Sequence, residues 1–498
     1  MQNHFFTTGI LSKTKLLSFL SAFILFSTSR CSSQSKGNMT LEEIKRNTFS
    51  VEQLKKDFAI MRSSLEEGSP SLYRYKSKEE ISRLFDSVNK SFTHPQTIFR
   101  FHKTISQLLA GICDGHTKTF LPPAIMGNIY YAQKTLLPLE LRFFGKEALV
   151  YRNYTSENIQ EGARIISINA VPMPELIERL MKRISSDACN TAYKSKKLDG
   201  EFKYMLITEF EAANSFEVVF ADKENKSTTV KLKAISFNET RKALAEKYES
   251  SQSASENYTV RYDDLLSVAF LDINSFAKEK GNKYENFLDE TFRTIKEKNI
   301  QKLVIDVRDN GGGRDENAAL LLSYTAKGPF KFYERRLMNH KRFSFLKYTD
   351  DKKLNLMLKF YHKEKTEDGY LLSLKWDKRI NKPAPYAFTG KIFILVNGNT
   401  FSSAAAFVNN ADHFTDAVFV GEECGGAYPG DSGVVVTVTL PETGLQVNVP
   451  IVRFDLPVSK IKFENVLVPE HTVSNNFDDI LTKKDRQMDS TMSLIKKK

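Results

Sequence analysis

The chain has 498 residues, of which 41% are hydrophobic and 27% charged, and a formal net charge of +12. That length exceeds one compact core, so two or three domains are expected of an otherwise ordinary globular composition. The excess of Lys and Arg is scattered and includes the tail "LIKKK". Without an arginine-rich block or aromatic–basic alternation it argues against nucleic acid as a partner and for a solvated basic surface.

Residues 1–31 read as an export signal. Lys13 and Lys15 precede the apolar run Leu16–Phe26, small polar residues follow, and no acidic residue occurs before Glu42. The run is too short for an ordinary membrane span. The expected location is therefore the periplasm or cell envelope of a bacterium. Cys31 at the end of the segment points to a lipid anchor, but Arg30 stands where lipoprotein signals carry a small residue, so cleavage near Ser29 is the alternative. Residues 32–40, "SSQSKGNMT", form a polar tether. Cys113, Cys189 and Cys424 are too few to make a disulfide framework in so large a chain. No CxxC or HExxH occurs, so neither a metal nor another cofactor is expected.

From residue 40 to about 130 the pattern is helical. "SVEQLKKDFAIMRSSLEE" and "TIFRFHKTISQLLAGI" space apolar residues by three and four, and Thr40 with Glu43 has the form of a capping box. Over 131–235 the period shortens. "LPLELRFF", "ALVYRNY", "ARIISINAVPM", "SFEVVFA" and "STTVKLKAI" read as strands and "PELIERLMKRI" as an amphipathic helix, which together suggest a compact α+β module. Over 236–480 strands and helices alternate: "LLSVAFLDI", then the helix "YENFLDETFRTIKEK", then "KLVIDV", "KIFILV", "AVFVGE", "VVVTVTL" and "LQVNVPI". Continuous apolar strands joined by helices imply a sheet covered on its faces, with sites at the C-terminal ends of the strands. A basic, aromatic-rich insertion between Phe330 and Pro383 is either surface decoration or a lid over the site.

Three segments carry the chemistry. "GICDGHTKTF" (111–120) presents His116 after a glycine at the end of a helical run. "DVRDNGGG" (306–313) follows an apolar strand, and its glycines let backbone N–H groups approach a ligand. "NGNTFSSAAA" (397–406) places Ser402 and Ser403 between a strand and a helix of small residues. On that segment alone Ser402 is as well read as a helix cap as a nucleophile. A serine needs a base and oxyanion donors to attack a carbonyl, and the other two segments supply candidates for both.

In this order the three segments resemble those of the C-terminal processing peptidases, or tail-specific proteases, in the branch that includes the tricorn core protease. "IQEGARIISINAVPMPELIERL" (159–180) is similar to the PDZ core of such enzymes. The resemblance covers roughly residues 45–475. It implies a multidomain α/β protein: an N-terminal helical region, a PDZ-like α+β module, and an α/β peptidase core of the crotonase-like ββα type. It further implies an exported serine endopeptidase acting on peptides or unfolded proteins. The Ser–Lys branch is disfavoured, because no lysine lies between Lys391 and Lys460. The resemblance instead implies Ser402 as nucleophile, His116 as base, a late glutamate to orient it, and an oxyanion hole from the N–H groups of Gly312 and Ser403. Glu464, in "FENVLVPEHTV", is the first choice for that glutamate, with Glu470 and Glu422 in reserve. Departures from the family pattern are Val466–Leu467, where a glycine is frequent, Glu470, where Asp is usual, Ala405, where many relatives carry Glu, and Gly115, where some carry a second polar catalytic residue. The PDZ-like stretch "TLLPLELRFF" lacks the glycines with which relatives hold a terminal carboxylate. The competing readings are a non-catalytic peptide- or lipophile-binding protein on the same fold, and an unrelated α/β hydrolytic or acyl-transfer enzyme.

Overall fold

The computed structural model describes residues 39–497 apart from 130–132, 249–255, 350–353, 355–357, 359–362, 373–379 and 458–464. The export signal, Cys31, most of the tether and Glu464 lie outside the described residues.

The N-terminal helices begin where side-chain caps allow. Thr40, Ser50 and Ser77 each head a reciprocal capping box, for helices Leu41–Arg46, Val51–Gly68 and Lys78–Ser91. Helix Val51–Gly68 buries Leu54, Phe58, Met61 and Leu65, one face at helical spacing. Helix Ile98–Ala110, capped by Thr97, buries Phe99, Phe101, Ile105, Leu108 and Leu109 and ends at Gly111. This region does not have a core of its own. Its apolar residues belong to one continuous cluster with those of the α/β core. The seam is polar as well as apolar: both oxygens of Asp57 accept from the turn at Glu442–Thr443. Gly68 packs so closely that a Cβ there would lie 2.6 Å from Val449 Cγ1.

The module over 131–235 has a separate core. Its antiparallel sheet runs in the order Leu139–Phe144, Glu147–Asn153, Arg164–Ile168, Ser215–Ala221, Ser227–Lys233. Helices Met173–Met181 and Thr191–Glu209 complete it. The second of these follows a tight turn at Asp187–Cys189.

The α/β core is built on a six-stranded sheet. Its order is Tyr258–Asp263, Val268–Ile273, Lys302–Asp306, Lys391–Val396, Val418–Gly421, His471–Thr472, parallel except for the first pair. The three central strands are almost wholly buried, which accounts for their unbroken apolar runs. Helix Ser403–Phe414 leaves the C-terminal side of strand Lys391–Val396. A second, antiparallel sheet carries Ser432–Thr439 and Gln446–Asp455, and Thr119–Phe120 pairs with the start of the latter. Part of the basic insertion is structural: Arg335–Met338 pairs with Gln446–Asp455, and Phe343, Phe345 and Leu346 are buried.

Cys113 and Cys189 form a disulfide across 76 residues, a pairing that the spacing of three cysteines does not reveal. It ties the loop after helix Ile98–Ala110 to the turn before helix Thr191–Glu209. Closing a loop of that length is worth about 4 kcal/mol through the unfolded chain. The double variant Cys113→Ser/Cys189→Ser is therefore expected to unfold at lower urea concentration than the oxidised protein. Reduction of the wild-type chain should reproduce that midpoint.

Candidate active site

Two loops at the C-terminal ends of neighbouring parallel strands are zipped together side chain to backbone. Thr400 Oγ1 donates to Val307 O (2.9 Å) and accepts from Asn397 N (3.1 Å). Asn397 Oδ1 accepts from Asp309 N, and Asp309 Oδ1 accepts from the amides of Asn397 and Asn399. Phe401 N donates to Asn310 O, and Asn310 Nδ2 to Ile273 O. The polar residues of "RDN" and "NGNT" are spent on holding this double turn in shape.

Ser402 is at its apex. Its backbone lies at φ 56°, ψ −131°, a conformation that a non-glycine residue adopts only when its surroundings impose it. It stands in the N-cap position of helix Ser403–Phe414, yet its side chain makes no capping hydrogen bond. Ser402 is partly exposed, whereas Ser403 is buried, its hydroxyl without a hydrogen-bond partner among the described residues. The two adjacent serines are thus physically distinct. Gly426 lies beside the helix so tightly that a Cβ there would meet Ala405 Cβ at 2.4 Å.

Gly312 faces this apex at φ 99°. A Cβ there would sit 2.9 Å from both Phe401 O and Ser402 Cβ, and 3.0 Å from Ser403 N. Only a bare α-carbon leaves that space open. The Gly312 N–H itself donates to Asn310 Oδ1 (2.9 Å), so it is already engaged. Ser403, the first residue of the helix, contributes an N–H of the kind helices leave without an internal partner.

His116 arrives from the far end of the chain. Its ring stacks on Phe401, the residue before Ser402, with centroids 4.8 Å apart and planes 26° from parallel. Gly115 makes the contact possible, since a Cβ there would be 2.8 Å from the Phe401 ring. His116 N donates to Asp114 Oδ1, whose partner oxygen Oδ2 accepts from Ser432 Oγ. Asp187 Oδ1 accepts from Gly115 N (2.7 Å). A ring nitrogen of His116 and one oxygen each of Asp114 and Asp187 lie within 4.8 Å of one another. Both Asp114 oxygens accept hydrogen bonds, one from the His116 backbone N–H and one from the Ser432 hydroxyl. Burial, followed by the charge of Lys118, pushes the His116 pKa down to about 3. The ring is therefore neutral at physiological pH, the state a base requires. Among the described residues no hydrogen bond joins His116 to Ser402; the two are brought alongside through Phe401.

The late glutamates fare differently. Glu464 is outside the described residues. Glu470 is exposed, and its Oε2 accepts from Phe419 N in strand Val418–Gly421. Glu422 pairs with Lys196 at 3.0 Å, on the wall of a cleft of about 1360 Å³ between the 131–235 module and the core. That cleft reaches Asn397 and Asn399 on the turn that carries Ser402. Arg308 does not face the apex: it pairs with Asp306 and with Asp485 near the C-terminus. Sequence reasoning singled out neither Asp187 nor Phe401. Phe401 is adjacent to the serines and has no polar group to mark it, and Asp187 sits in an unremarkable turn sequence.

Residues 267–470 match the family described as Peptidase family S41. No curated protein matches the chain. Among solved structures, a CPAF mutant superposes with TM-score 0.61 at 14% identity, over 90% of this chain and 98% of that one. Mature CPAF gives 0.60 at 13%, over 90% and 97%. The photosystem II D1 C-terminal processing protease gives 0.41 at 12%, over 87% and 98%, too loose a match to bear on the fold. At these identities the first two establish a shared architecture.

Gly312→Ala is expected to cost roughly 1–3 kcal/mol through its left-handed backbone and to push the Ser402 turn out of place. A drop in both melting temperature and fluorophosphonate labelling would show this. The exposed, unconstrained Gly127→Ala, where an added Cβ meets nothing within 4 Å, should change neither.

Proposed function

The core of this chain, residues 267–470, belongs to peptidase family S41, which makes it a serine peptidase acting on peptides or proteins, and we propose that it is an exported endopeptidase using Ser402 and His116. The observation that carries the assignment is the backbone of Ser402. A partly exposed serine held at positive φ between strand and helix, with its hydroxyl spared from capping, is arranged as a nucleophile.

In this reading Ser402 Oγ attacks the scissile carbonyl carbon. The neutral ring of His116 accepts the hydroxyl proton and delivers it to the departing amine, leaving an acyl-enzyme that water hydrolyses by the same route in reverse. The developing oxyanion is held by Ser403 N–H at the positive end of helix Ser403–Phe414. Gly312 serves chiefly through its missing side chain, since Asn310 holds its N–H. A carboxylate orients the imidazole; by family resemblance Glu464 is the first choice.

Substrate approach is proposed along strand Leu139–Phe144. It is the terminal strand of its sheet and lines the 1360 Å³ cleft with helix Thr191–Glu209, so an extended peptide has an edge to pair with. Export is favoured by the apolar N-terminal run and by the Cys113–Cys189 bridge, which suits an oxidising compartment. Lipid attachment at Cys31 remains part of this proposal, and mass analysis of the mature N-terminus tests it against cleavage near Ser29.

Ser402→Ala and His116→Ala are each expected to lower kcat on an unfolded protein substrate by roughly 10⁴–10⁶-fold. A fluorophosphonate should label the wild type at Ser402. Full hydrolysis by either purified, folded variant would refute the assignment, and labelling without any peptide cleavage would favour an acyl-transfer enzyme.

A further inference from the structure

Among the described residues, two buried polar atoms beside the proposed base have no hydrogen-bond partner: His116 Nδ1 and Asp187 Oδ2. Leaving either so is costly, about 1–3 kcal/mol each. They belong to the same cluster, in which a ring nitrogen of His116 lies within 4.8 Å of an Asp187 oxygen. The competing acceptor, Asp114, has both oxygens occupied by His116 N–H and Ser432 Oγ. Asp187 is also fixed relative to His116 at two points. Its Oδ1 accepts from Gly115 N, the residue before the histidine, and the Cys113–Cys189 disulfide ties together the two loops that carry them. Neither Glu422 nor Glu470 is free for this work, since one pairs with Lys196 and the other holds Phe419 N.

We propose that Asp187 is the positioning carboxylate of this site, accepting the Nδ1 proton of His116 so that Nε2 is turned toward Ser402. The inference rests on the Ser402/His116 reading and replaces the late glutamate in it. The hydrogen bond closes when substrate compacts the site, as such bonds commonly do. When His116 takes the serine proton it becomes imidazolium, and an ionised Asp187 stabilises that charge without itself taking the proton.

The ionisation state of Asp187 supplies a signature. Burial, and then the charge of Asp114, raise its pKa to about 7. The groups facing it are Asp114, His116 and Lys118 on the preceding loop, Arg74 and Tyr75 after helix Val51–Gly68, Tyr193, Cys424 and Asp431. A carboxyl with a raised pKa is neutral below that value and charged above it. Activity that needs the charged form must therefore rise with pH through about 7, whereas protonation of His116, near 3, occurs far below this window.

The test measures kcat/KM against pH for the full-length protein and for Asp187→Asn, Asp187→Glu and Glu464→Gln. Asp187→Asn should lose about 10³–10⁴-fold, by analogy with a triad whose aspartate becomes an amide, and its remaining activity should lack the rising limb near pH 7. Asp187→Glu should regain part of the rate with the limb displaced, which a merely structural role would not produce. Glu464→Gln, whatever its effect on the rate, should keep the limb. If Asp187→Asn fails to fold, the decision passes to Asp187→Glu: an unmoved limb there overturns the proposal. So does a folded Asp187→Asn with wild-type rate and profile, or a Glu464→Gln that alone abolishes the limb. Either of these leaves the Ser402/His116 assignment intact, whereas hydrolysis by Ser402→Ala removes the assignment itself.

Discussion

One aromatic ring joins the parts of this molecule that have to meet. Phe401 precedes the serine at the apex of the core's double turn, and its side chain packs with the hydrophobic cluster of the 131–235 module rather than with that of the core. Its ring stacks on His116 on one side and lies 4.7 Å, centroid to centroid, from Tyr193 on another. The Lys118 ammonium sits 5.9 Å from the same ring. A single apolar side chain thus fixes where the helical region's histidine, the module's helix and the core's serine stand with respect to each other. Ring contacts of this kind add only about 0.5–1.5 kcal/mol beyond burial, but here they decide geometry as well as energy.

Around that ring the molecule tolerates unusual electrostatics. Asp114, Asp187 and Asp431 are all buried, and burial raises the pKa of each. Like charges in low dielectric repel strongly, so proteins keep such groups neutral or bind them to donors. This one does both: backbone N–H groups of Gly115 and His116 and the Ser432 hydroxyl are committed to two of the three carboxylates. The arrangement is expensive for stability alone and makes sense where an ionisable group is wanted next to the proposed base.

Much of the frame was legible in the sequence because it follows from local rules. "KIFILV" is the strand Lys391–Val396, "SFEVVFA" is the strand Ser215–Ala221, and Thr40 with Glu43 is a capping box. The three motif segments were legible too, and the fold brings two of them, "RDNGGG" and "NGNTFSS", into direct contact. What escaped reading depends on distance along the chain. Helix Thr191–Glu209, "TAYKSKKLDGEFKYMLITE", is polar around most of its circumference, so its period is faint. Cys113 and Cys189 have no sequence mark of partnership at a separation of 76. Asp187 looks like any turn aspartate until the disulfide and the Gly115 N–H bring it beneath His116. The sequence points to Gly312 as an N–H donor, but that N–H donates to Asn310 Oδ1, and the residue matters through its missing side chain.

Arg308 has a separate consequence. It stands in the loop that supports the serine turn, and its guanidinium bridges Asp306 to Asp485 and Gln487 at the start of the last helix, Arg486–Lys496. Ile495 of that helix packs on the same sheet as Phe393 and Leu395. During synthesis the serine turn leaves the ribosome well before this brace exists. The loop that supports the serine turn therefore lacks this brace until a segment 177 residues further along the chain has been made.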